Sequence, residues 1–319
     1  MPQDFLKLKG VYKRFAISEG MFGSAQVHAL NNVDLTVAKG KTMSIVGESG
    51  CGKTTLGKTI LGLYRPDAGK IMFRGGEIGS LSPRHRRQVQ KDLQMIFQDP
   101  YSSLNPRKKI IDILARPLKT YTGMNRDERS AHIIKTCEAV GIDESYLSRY
   151  PHQFSGGQRQ RIAIARAIIL TPELVVADEP ISALDVSIQS QILNLMIDLQ
   201  KNLGLTYLFI THDISVVKYI SDEVAVMYLG EIVERADKKN LFNEPLHPYT
   251  RLLFNAAPDI SRPYLSEDAV ITGEIPNPTK LPPGCFFASR CPIKTDNCLK
   301  AHPSLEEKRR GRFVRCFMV

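Results

Sequence analysis

The sequence predicts an α/β fold combined with an antiparallel β layer, an inserted helical block and a proline-rich C-terminal extension. Short apolar runs, typical of buried strands, alternate with amphipathic stretches through the middle of the chain, and this alternation indicates α/β architecture. The run Leu174–Ala177 is apolar throughout, as expected for a central strand of a parallel sheet. Before residue 45, Phe5–Val11 and Val33–Val37 predict two short strands of the antiparallel layer, separated by a glycine-containing loop at 18–25.

The remaining elements follow from turn residues and periodicity. From about residue 100 to residue 170 the pattern is helical, and we expect a helical subdomain there. After Pro245 closely spaced prolines predict a loop-rich extension with too few apolar residues for a robust core of its own. We therefore expect a domain over 1–245 and an extension over 246–319. The other predicted elements are a turn at 66–69, a strand at 70–74, a charged helix at 83–92, a strand at 93–97, helices at 129–141, 157–170 and 187–202, a strand at 206–211 and a hairpin at 223–234.

Composition narrows the class of protein. Hydrophobic residues make up 43% of the 319, enough for an ordinary globular core, and no apolar run approaches the length of a membrane span, about 18 residues. The polar and charged N-terminal stretch lacks the apolar core of a signal peptide, so we expect a cytosolic protein. The net charge of +10 is compatible with nucleic acid, an anionic membrane surface, nucleotide phosphates or a solvated basic surface. No nucleic-acid-binding motif accompanies the basic clusters at 84–91 and 308–315, and we expect no nucleic-acid partner.

A glycine-rich loop at 47–54 is the strongest motif in the chain. It follows the apolar run Met43–Val46 and precedes a predicted helix over Thr55–Leu63, and a strand, glycine loop, Gly-Lys-Thr and helix in this order form a phosphate-binding loop. The glycines allow backbone N–H groups to point at phosphates, Lys53 reaches the β- and γ-phosphates, and the Thr54 hydroxyl can ligate Mg²⁺. The alternative is a plain glycine turn. The predicted binding residues are Gly47, Ser49, Gly50, Cys51, Gly52, Lys53, Thr54 and Thr55.

Two acidic residues end the apolar strand Leu174–Ala177. An acid at the carboxyl end of a parallel strand faces the ligand crevice of an α/β sheet. Asp178 would hold Mg²⁺, commonly through water, and Glu179 could polarise the attacking water. The alternative for Glu179 is an exposed loop carboxylate without a chemical role.

A second glycine motif lies at 154–161, about twenty residues before Asp178. Ser155, Gly156 and Gly157 begin a helix, so free N–H groups and a hydroxyl can bind an anion there. Alone this pattern indicates only a helix cap and is a weak signal of an anion-binding site. Its position about twenty residues before Asp178 makes the signal specific.

At these residues the sequence resembles the nucleotide-binding subunits of ATP-binding cassette (ABC) transporters. Residues 47–54 match the family's Walker A motif, 174–179 match Walker B, and Ser155–Gln158 match the signature, with Phe154 where leucine is usual. In the family's order, Gln98 matches the Q-loop, Ser182–Asp185 the D-loop and His212 the switch histidine. The resemblance implies a P-loop NTPase fold of the ABC ATPase type, with ATP and Mg²⁺ as cofactors.

The resemblance also implies a role for each matching residue. Glu179 would be the catalytic base, Gln98 and His212 would sense the γ-phosphate and Mg²⁺, and Phe15 would stack on adenine, unless it only packs within the β layer. Thr54, Gln98 and Asp178 would contact Mg²⁺. In the family two cassettes form a sandwich, in which the signature of each completes the site of the other. The signature residues implied to bind nucleotide are Ser155, Gly156, Gly157 and Gln158.

Outside the ATPase core the sequence resembles the dipeptide, oligopeptide and nickel importer branch of the family. The stretches at 243–251 and 282–298 and the chain length carry this likeness. It implies an ATP-hydrolysing subunit that powers peptide import from the cytoplasmic face of the inner membrane. The implied partners are a second, related ATPase chain, two transmembrane permease subunits and an extracytoplasmic peptide-binding protein. The segment Asp99–Pro106, with Tyr101 and Leu104, would dock a cytoplasmic helix of the permease.

Other nucleotide-binding proteins fit the sequence less well. A GTPase needs an Asn-Lys-x-Asp motif, which is absent, and a small-molecule kinase would lack Ser155–Gln158. A soluble ABC ATPase of translation or DNA repair is the closest alternative. Translation factors of this family carry two cassettes, and repair ATPases insert long coiled coils between the positions of Gln98 and Ser155, whereas this chain shows neither feature.

Four of the six cysteines, Cys285, Cys291, Cys298 and Cys316, lie close to the C-terminus. Zinc sites usually contain C-x2-C pairs, which are absent here, whereas four thiolates can hold an iron–sulfur cluster. Free thiols are the third possibility. The resemblance to peptide importers favours a 4Fe-4S cluster, which would order the extension. We expect the extension and the phosphate loop to use separate residues, so that nucleotide binding is independent of the cluster.

Overall fold

A computed structural model describes residues 5–19, 23–256 and 273–319. Within these ranges the strands are β1 (Leu6–Glu19), β2 (Gly23–Val37), β3 (Thr42–Val46), β4 (Ala68–Phe73), β5 (Gly76–Glu77), β6 (Leu93–Ile96), β7 (Leu174–Asp178), β8 (Thr206–Ile210), β9 (Glu223–Tyr228), β10 (Glu231–Asp237), β11 (Glu306–Arg309) and β12 (Arg312–Val314). The α-helices are α1 (Lys53–Ile60), α2 (Pro83–Gln90), α3 (Pro100–Ser103), α4 (Ile110–Tyr121), α5 (Arg126–Ala139), α6 (Gly156–Ile168), α7 (Val186–Leu203), α8 (Ile214–Ile220), α9 (Lys238–Asn243), α10 (Pro248–Asn255) and α11 (Asp296–Lys300). The chain forms two compact units, a first unit of Met1–Ser80 with Ile210–Val319 and a second unit of Leu81–Phe209.

The first unit contains an antiparallel layer with strand order β2-β1-β4-β5. The predicted layer is therefore present, but its first two strands are much longer than predicted. They pair almost to their ends, as in Phe15↔Val27 and Ile17↔Ala25, so the loop expected at 18–25 is wrong except at 20–22, outside the described residues. The outer half of this ribbon is half-buried or exposed, and backbone pairing between the two strands extends it beyond the predicted ends.

The first unit also contributes the strand order β11-β12-β10-β9-β3. β3 is parallel to β9, with Ile45 opposite Ala225, whereas β9 and β10 form an antiparallel hairpin. All five residues of β3 are buried, as the apolar run predicts for a central strand. β3 leads directly into the glycine-rich loop and α1, so a rigid buried strand fixes one end of that loop.

The second unit combines strands β8-β7-β6 with helices α2 to α7. β6 and β7 are parallel, with Leu93 opposite Leu174 and Ile96 opposite Ala177. Between β6 and β7 lie α3 to α6, which occupy the range expected for a helical subdomain. The strands predicted at 93–97 and 206–211 are correct to within one residue, because each is a short apolar run with clear polar boundaries.

The C-terminal extension is more integrated than its prolines indicate. Phe286 and Phe287 are buried in one cluster with Val46, Val226 and Tyr249. β12 also pairs with β10, so the extension adds strands to the sheet of the first unit. The described part of the extension therefore packs without a core of its own, since its aromatic residues complete the core of the first unit. Pro258 and Pro263 lie outside the described residues.

Among the helices that the structure describes, none combines the length and the apolar character that crossing a bilayer demands.

Candidate functional site

Three glycines give the loop at 47–54 a backbone conformation that other residues rarely adopt. Gly47, Gly50 and Gly52 all have positive φ angles, 155°, 78° and 105°. A Cβ atom at Gly47 would lie 2.1 Å from the carbonyl oxygen of Met227, and one at Gly52 would lie 2.3 Å from that of Ala29. Only glycine fits at these two positions, because the obstacle is backbone in both cases. Neighbouring strands of the first unit thus shape the loop.

Lys53 begins α1 and is 6% exposed. Its ammonium group turns back over the loop and donates to the carbonyl oxygens of Gly47 at 2.7 Å and Glu48 at 2.9 Å. The Cys51 sulfur lies 3.8 Å from the same nitrogen, and burial raises the pKa of this thiol. The positive charge of Lys53 therefore lies inside the loop, at the N-terminus of α1. The charge and the helix dipole both favour binding of an anion there.

In the second unit, the two acidic residues lie where the sequence predicts. Asp178 is the last residue of β7 and is 3% exposed. Glu179 follows with a positive φ of 45°, an unusual backbone conformation for a residue other than glycine. The side-chain amide of Gln98 donates to Glu179 Oε2 at 3.0 Å. The predicted sensor and the predicted base are thus in direct contact, which sequence spacing did not reveal.

The signature residues form the start of α6. Ser155 is the N-cap, its hydroxyl accepts from the Gln158 N–H, and the Gln158 side chain accepts from the Ser155 N–H, completing a capping box. A Cβ at Gly157 would lie 2.7 Å from the Ile188 side chain of α7. Glycine is therefore needed for close packing at this helix start as well as for any contact with a ligand.

Two further predicted residues lie in the first unit. Phe15 is on β1 and packs edge-to-face on Tyr64, with ring centroids 5.0 Å apart. The Lys13 ammonium lies 5.3 Å from the Phe15 centroid. His212 is exposed and follows Thr211, at the end of β8. Phe15 thus has a packing role in this structure, and its stacking on adenine stays a prediction.

Sequence reasoning missed two residues of the extension that contact the phosphate loop. Arg290 forms a bidentate ion pair with the Glu48 carboxylate, and the Tyr249 hydroxyl accepts from the Glu48 N–H. The expectation that the extension and the phosphate loop use separate residues is therefore wrong. No local pattern marks these residues, because 242 positions of sequence separate Arg290 from Glu48.

The four late cysteines line one small cavity, of about 10 Å³, together with His247, Phe287, Pro303 and Phe317. The Cys285 N–H donates to the Cys298 carbonyl at 2.8 Å. Burial raises the pKa of Cys285 to about 12 and also raises the pKa values of Cys291 and Cys316, so these thiols are protonated at neutral pH. Within the described residues, no group of three or more His, Cys, Asp or Glu is arranged to hold a metal ion. The ligand type fits an iron–sulfur cluster, but the space, enough for about one water, does not.

The strand-end carboxylates and the glycine-rich loop define the class of P-loop nucleoside triphosphatases. Comparison with known proteins refines this class. The ABC transporter family model matches residues 30–182, and the model for the oligopeptide/dipeptide transporter C-terminal region matches residues 233–298. The chain therefore belongs to the family of ABC transporter ATPases, in the branch that carries this C-terminal region.

Similar proteins match over nearly the whole chain. The oligopeptide transport ATP-binding protein AppF of Bacillus subtilis is 47% identical over 99% of this chain and 98% of its own length. The dipeptide transport ATP-binding protein DppF of Escherichia coli is 43% identical over 100% of this chain and 96% of its own. Among solved structures, the dimeric ATP-binding cassette MJ0796 bound to ADP and Pi matches with a TM-score of 0.65 and 29% identity, over 73% of this chain and 98% of that one. The predicted family, branch and fold class are confirmed, and the family implies ATP and Mg²⁺.

Proposed function

We propose that the chain binds ATP with Mg²⁺ and hydrolyses it to power the import of dipeptides or oligopeptides across the cytoplasmic membrane, through partner permease subunits. The observation that carries the proposal is the similarity, over nearly the full length, to ATP-binding proteins of oligopeptide and dipeptide transport. The phosphate loop supports it, since its backbone accepts only glycine at Gly47 and Gly52 and Lys53 lies inside it.

In this proposal separate residues bind the phosphates, hold Mg²⁺ and activate the attacking water. The loop N–H groups and Lys53 bind the phosphates, and Thr54 and Asp178 hold Mg²⁺, which offsets the phosphate charge. Glu179 accepts the proton of the attacking water, while Gln98, already bonded to its carboxylate, holds it in place. His212 contacts the γ-phosphate, and the helix start at Ser155 serves the ATP of a second cassette.

Two substitutions test this assignment. Lys53→Ala should abolish ATP binding, whereas Glu179→Gln should keep binding, lose turnover and trap a stable two-cassette dimer. Lys70→Ala and Glu138→Gln, both at exposed positions, are matched controls that should behave as the wild type. The readouts are ATP titration calorimetry, phosphate release and the oligomeric state with ATP. Undiminished phosphate release by Glu179→Gln would refute its role as the base.

The proposed partners are a second, related ATPase chain, two transmembrane permease subunits and an extracytoplasmic peptide-binding protein. The chain would lie on the cytoplasmic face of the inner membrane and attach through the permease. Co-purification of the chain from membranes with two polytopic proteins and a related ATPase is the expected result. Recovery of the chain only from the soluble fraction, without these partners, would favour an ABC ATPase unrelated to transport.

The surface proposed to dock the permease lies beside a groove of about 740 Å³ in the second unit. Tyr101 of α3 is 60% exposed, and the Arg159 guanidinium of α6 lies 4.1 Å from its ring centroid. A helix docked on Tyr101 could therefore move α6, which carries the signature. Leu104, expected on this surface, is only 1% exposed, so that expectation is wrong.

The groove's charged residues are mostly basic and favour an acidic permease segment; they are Lys108, Asp112, Arg116, Lys119 and Arg166.

Tyr101→Glu tests this docking surface, because it places a carboxylate on an exposed ring position without disturbing the core. Peptide uptake by the reconstituted transporter should fall by at least tenfold, while the basal ATPase rate of the chain should change less than twofold. Tyr219→Glu is the matched control, since Tyr219 is an exposed tyrosine of the first unit, at 54%. Normal uptake with Tyr101→Glu would remove this surface from the coupling mechanism.

The proposal also includes one 4Fe-4S cluster held by Cys285, Cys291, Cys298 and Cys316, with a structural role. Convergence of all four on one cavity supports it, and the small size of the cavity means that the cysteines must separate when a cluster binds.

Iron and sulfide analysis after anaerobic purification tests the cluster. The wild type should contain about four of each per chain, Cys291→Ser should lose most of both, and Cys137→Ser, outside the cavity, should retain them. A colourless, iron-free wild type would contradict the cluster proposal, and stoichiometric zinc would replace it with a zinc site.

A further inference from the structure

Glu48, which follows Gly47 in the phosphate loop, is held by the C-terminal extension. Both guanidinium nitrogens Nη1 and Nη2 of Arg290 donate to the Glu48 carboxylate, each at 2.8 Å. The Arg290 side chain is only 4% exposed and that of Glu48 is 21% exposed. Such a planar, two-bond contact fixes direction as well as distance. The side chain of Glu48 therefore cannot rotate without breaking two charge-assisted bonds.

Two more contacts restrain the same residue. The Glu48 N–H donates to the Tyr249 hydroxyl at 3.0 Å, and its carbonyl accepts from the Lys53 ammonium at 2.9 Å. Tyr249 is fully buried, and its ring lies in the aromatic cluster with Tyr228 and Phe287. Arg290 lies over the same cluster, 5.7 Å from the Tyr228 centroid and 6.0 Å from that of Phe287. The carboxylate, the N–H and the carbonyl of Glu48 are thus each bonded, two of them to the extension.

We infer that Arg290 and Tyr249 are positioning residues for the ATP site: they hold Glu48, and through it the phosphate loop, in the conformation that binds the phosphates. The inference rests on the proposed binding of ATP by that loop. Arg290 also neutralises a carboxylate that would otherwise lie unpaired beside an anionic ligand, where like charges repel. Without Arg290, ATP affinity should therefore fall even where the fold survives.

The position of Arg290 links the loop to the four-cysteine cavity. Arg290 ends the short helical turn Ala288–Arg290, and the next residue, Cys291, lines the cavity. The Ala288 N–H donates to the Cys285 carbonyl at 3.0 Å, so cavity cysteines flank the turn on both sides. A change at the cavity that shifts this turn moves the guanidinium relative to Glu48. We therefore expect the affinity for ATP to change when the conformation of the extension near this turn changes.

A double-mutant cycle on the full chain tests the inference, with ATP and Mg²⁺ as the probe in titration calorimetry. Arg290→Gln should raise the ATP dissociation constant at least tenfold. Glu48→Gln alone should raise it about threefold, because the two-bond contact that orients the loop is lost. The double substitution should return it from the Arg290→Gln value to about the Glu48→Gln value, because the unpaired charge is then absent while the orienting contact is still missing. Arg309→Gln is the matched control, since Arg309 is an exposed arginine of the same extension, paired with Glu244, and should leave the affinity unchanged.

A second variant guards against loss of folding in Arg290→Gln. Tyr249→Phe keeps the buried ring and removes only the acceptor of the Glu48 N–H, and it should raise the dissociation constant at least threefold at an unchanged melting temperature. Wild-type affinity in both Tyr249→Phe and any folded Arg290→Gln would overturn the inference. A merely structural role predicts lower melting temperatures with no rescue by Glu48→Gln. If Lys53→Ala also binds ATP normally, the proposed ATP site is wrong. If Lys53→Ala loses ATP binding while the Arg290 and Tyr249 variants keep it, only the inference about Arg290 and Tyr249 is wrong.

Discussion

Replacing Phe287 by alanine should destabilise the first unit strongly, because this residue of the extension completes its core. Phe287 is 1% exposed, and its ring lies 5.3 Å from that of Tyr228 and 5.4 Å from that of Tyr249. Removing a buried phenylalanine ring costs about 3–5 kcal/mol in lost burial and residual cavity. The two aromatic contacts favour a value above the lower end of that range, and we expect a loss of about 4 kcal/mol.

The assay is thermal unfolding of the full chain, followed by circular dichroism. For a unit of this size each kcal/mol shifts the melting temperature by about 2–4 °C, so a loss of about 4 kcal/mol lowers it by roughly 8–16 °C. Phe317→Ala is the matched control, since Phe317 belongs to the same extension but is 39% exposed. Its free energy of unfolding should change by less than about 0.5 kcal/mol. If Phe287→Ala melts within about 2 °C of the wild type, the extension is not part of the core.

Two further predictions concern stability. Gly47→Ala should prevent normal folding, because its Cβ would lie 2.1 Å from the Met227 carbonyl oxygen. Gly50→Ala meets no atom within 4 Å and should cost only about 1–2 kcal/mol of backbone strain. Soluble yield and melting temperature distinguish the two variants. Burial alone would lower the pKa of His302, but its 2.8 Å bond to Glu231 raises the pKa above the ordinary 6.5. Its stabilising contribution is therefore complete below pH 6.5 and is lost as the pH rises through the raised pKa. Urea unfolding from about pH 6 to pH 9 should show this loss in the wild type and not in His302→Asn, and equal slopes in both would contradict it.

The elements predicted most accurately from the sequence are those marked by a local pattern of apolar residues or glycines. The runs predicted as strands at 93–97 and 174–177 became β6 and β7 because each is largely buried and is followed by polar residues. The glycine loop was equally predictable, since three positions demand conformations that other residues rarely adopt. In contrast, no residue of the outer half, over 12–18 of β1 and 24–29 of β2, is fully buried, and the ribbon extends through the pairing of the two strands.

The candidate site was predictable as a set of motifs but not as a set of contacts. Gln98 and Glu179 were both assigned from their motifs, yet their 3.0 Å hydrogen bond depends on where β6 and β7 end relative to one another. Arg290 was missed entirely, because an arginine beside a cysteine is unremarkable in sequence and gains its meaning only from Glu48. Contacts between residues far apart in the chain are set by the fold, and one sequence contains no direct record of them.

The count of apolar residues predicts that the extension has no robust core of its own, but it does not predict the polar groups that attach the extension to the first unit. Glu234 of β10 is fully buried, and its carboxylate accepts from the N–H groups of Leu246 and His247, each at 2.8 Å. Glu231 of the same strand is 2% exposed and bonds to His302. Leaving a buried charge without its partner costs about 3–5 kcal/mol, so these carboxylates oppose any other placement of the extension.

The same placement orients the turn that carries Arg290. β10 holds the start of α10 through Glu234 and holds His302 through Glu231, and His302 in turn bonds to the Gly284 carbonyl at 2.9 Å. Gly284 immediately precedes Cys285, the first residue of the cavity that flanks the Ala288–Arg290 turn. The buried carboxylates of one strand therefore hold Leu246 and His247 at the start of α10, and His302 beyond the cysteine Cys298. Polar contacts decide where the extension docks, aromatic packing supplies the free energy, and the guanidinium of Arg290 is thereby directed at the phosphate loop.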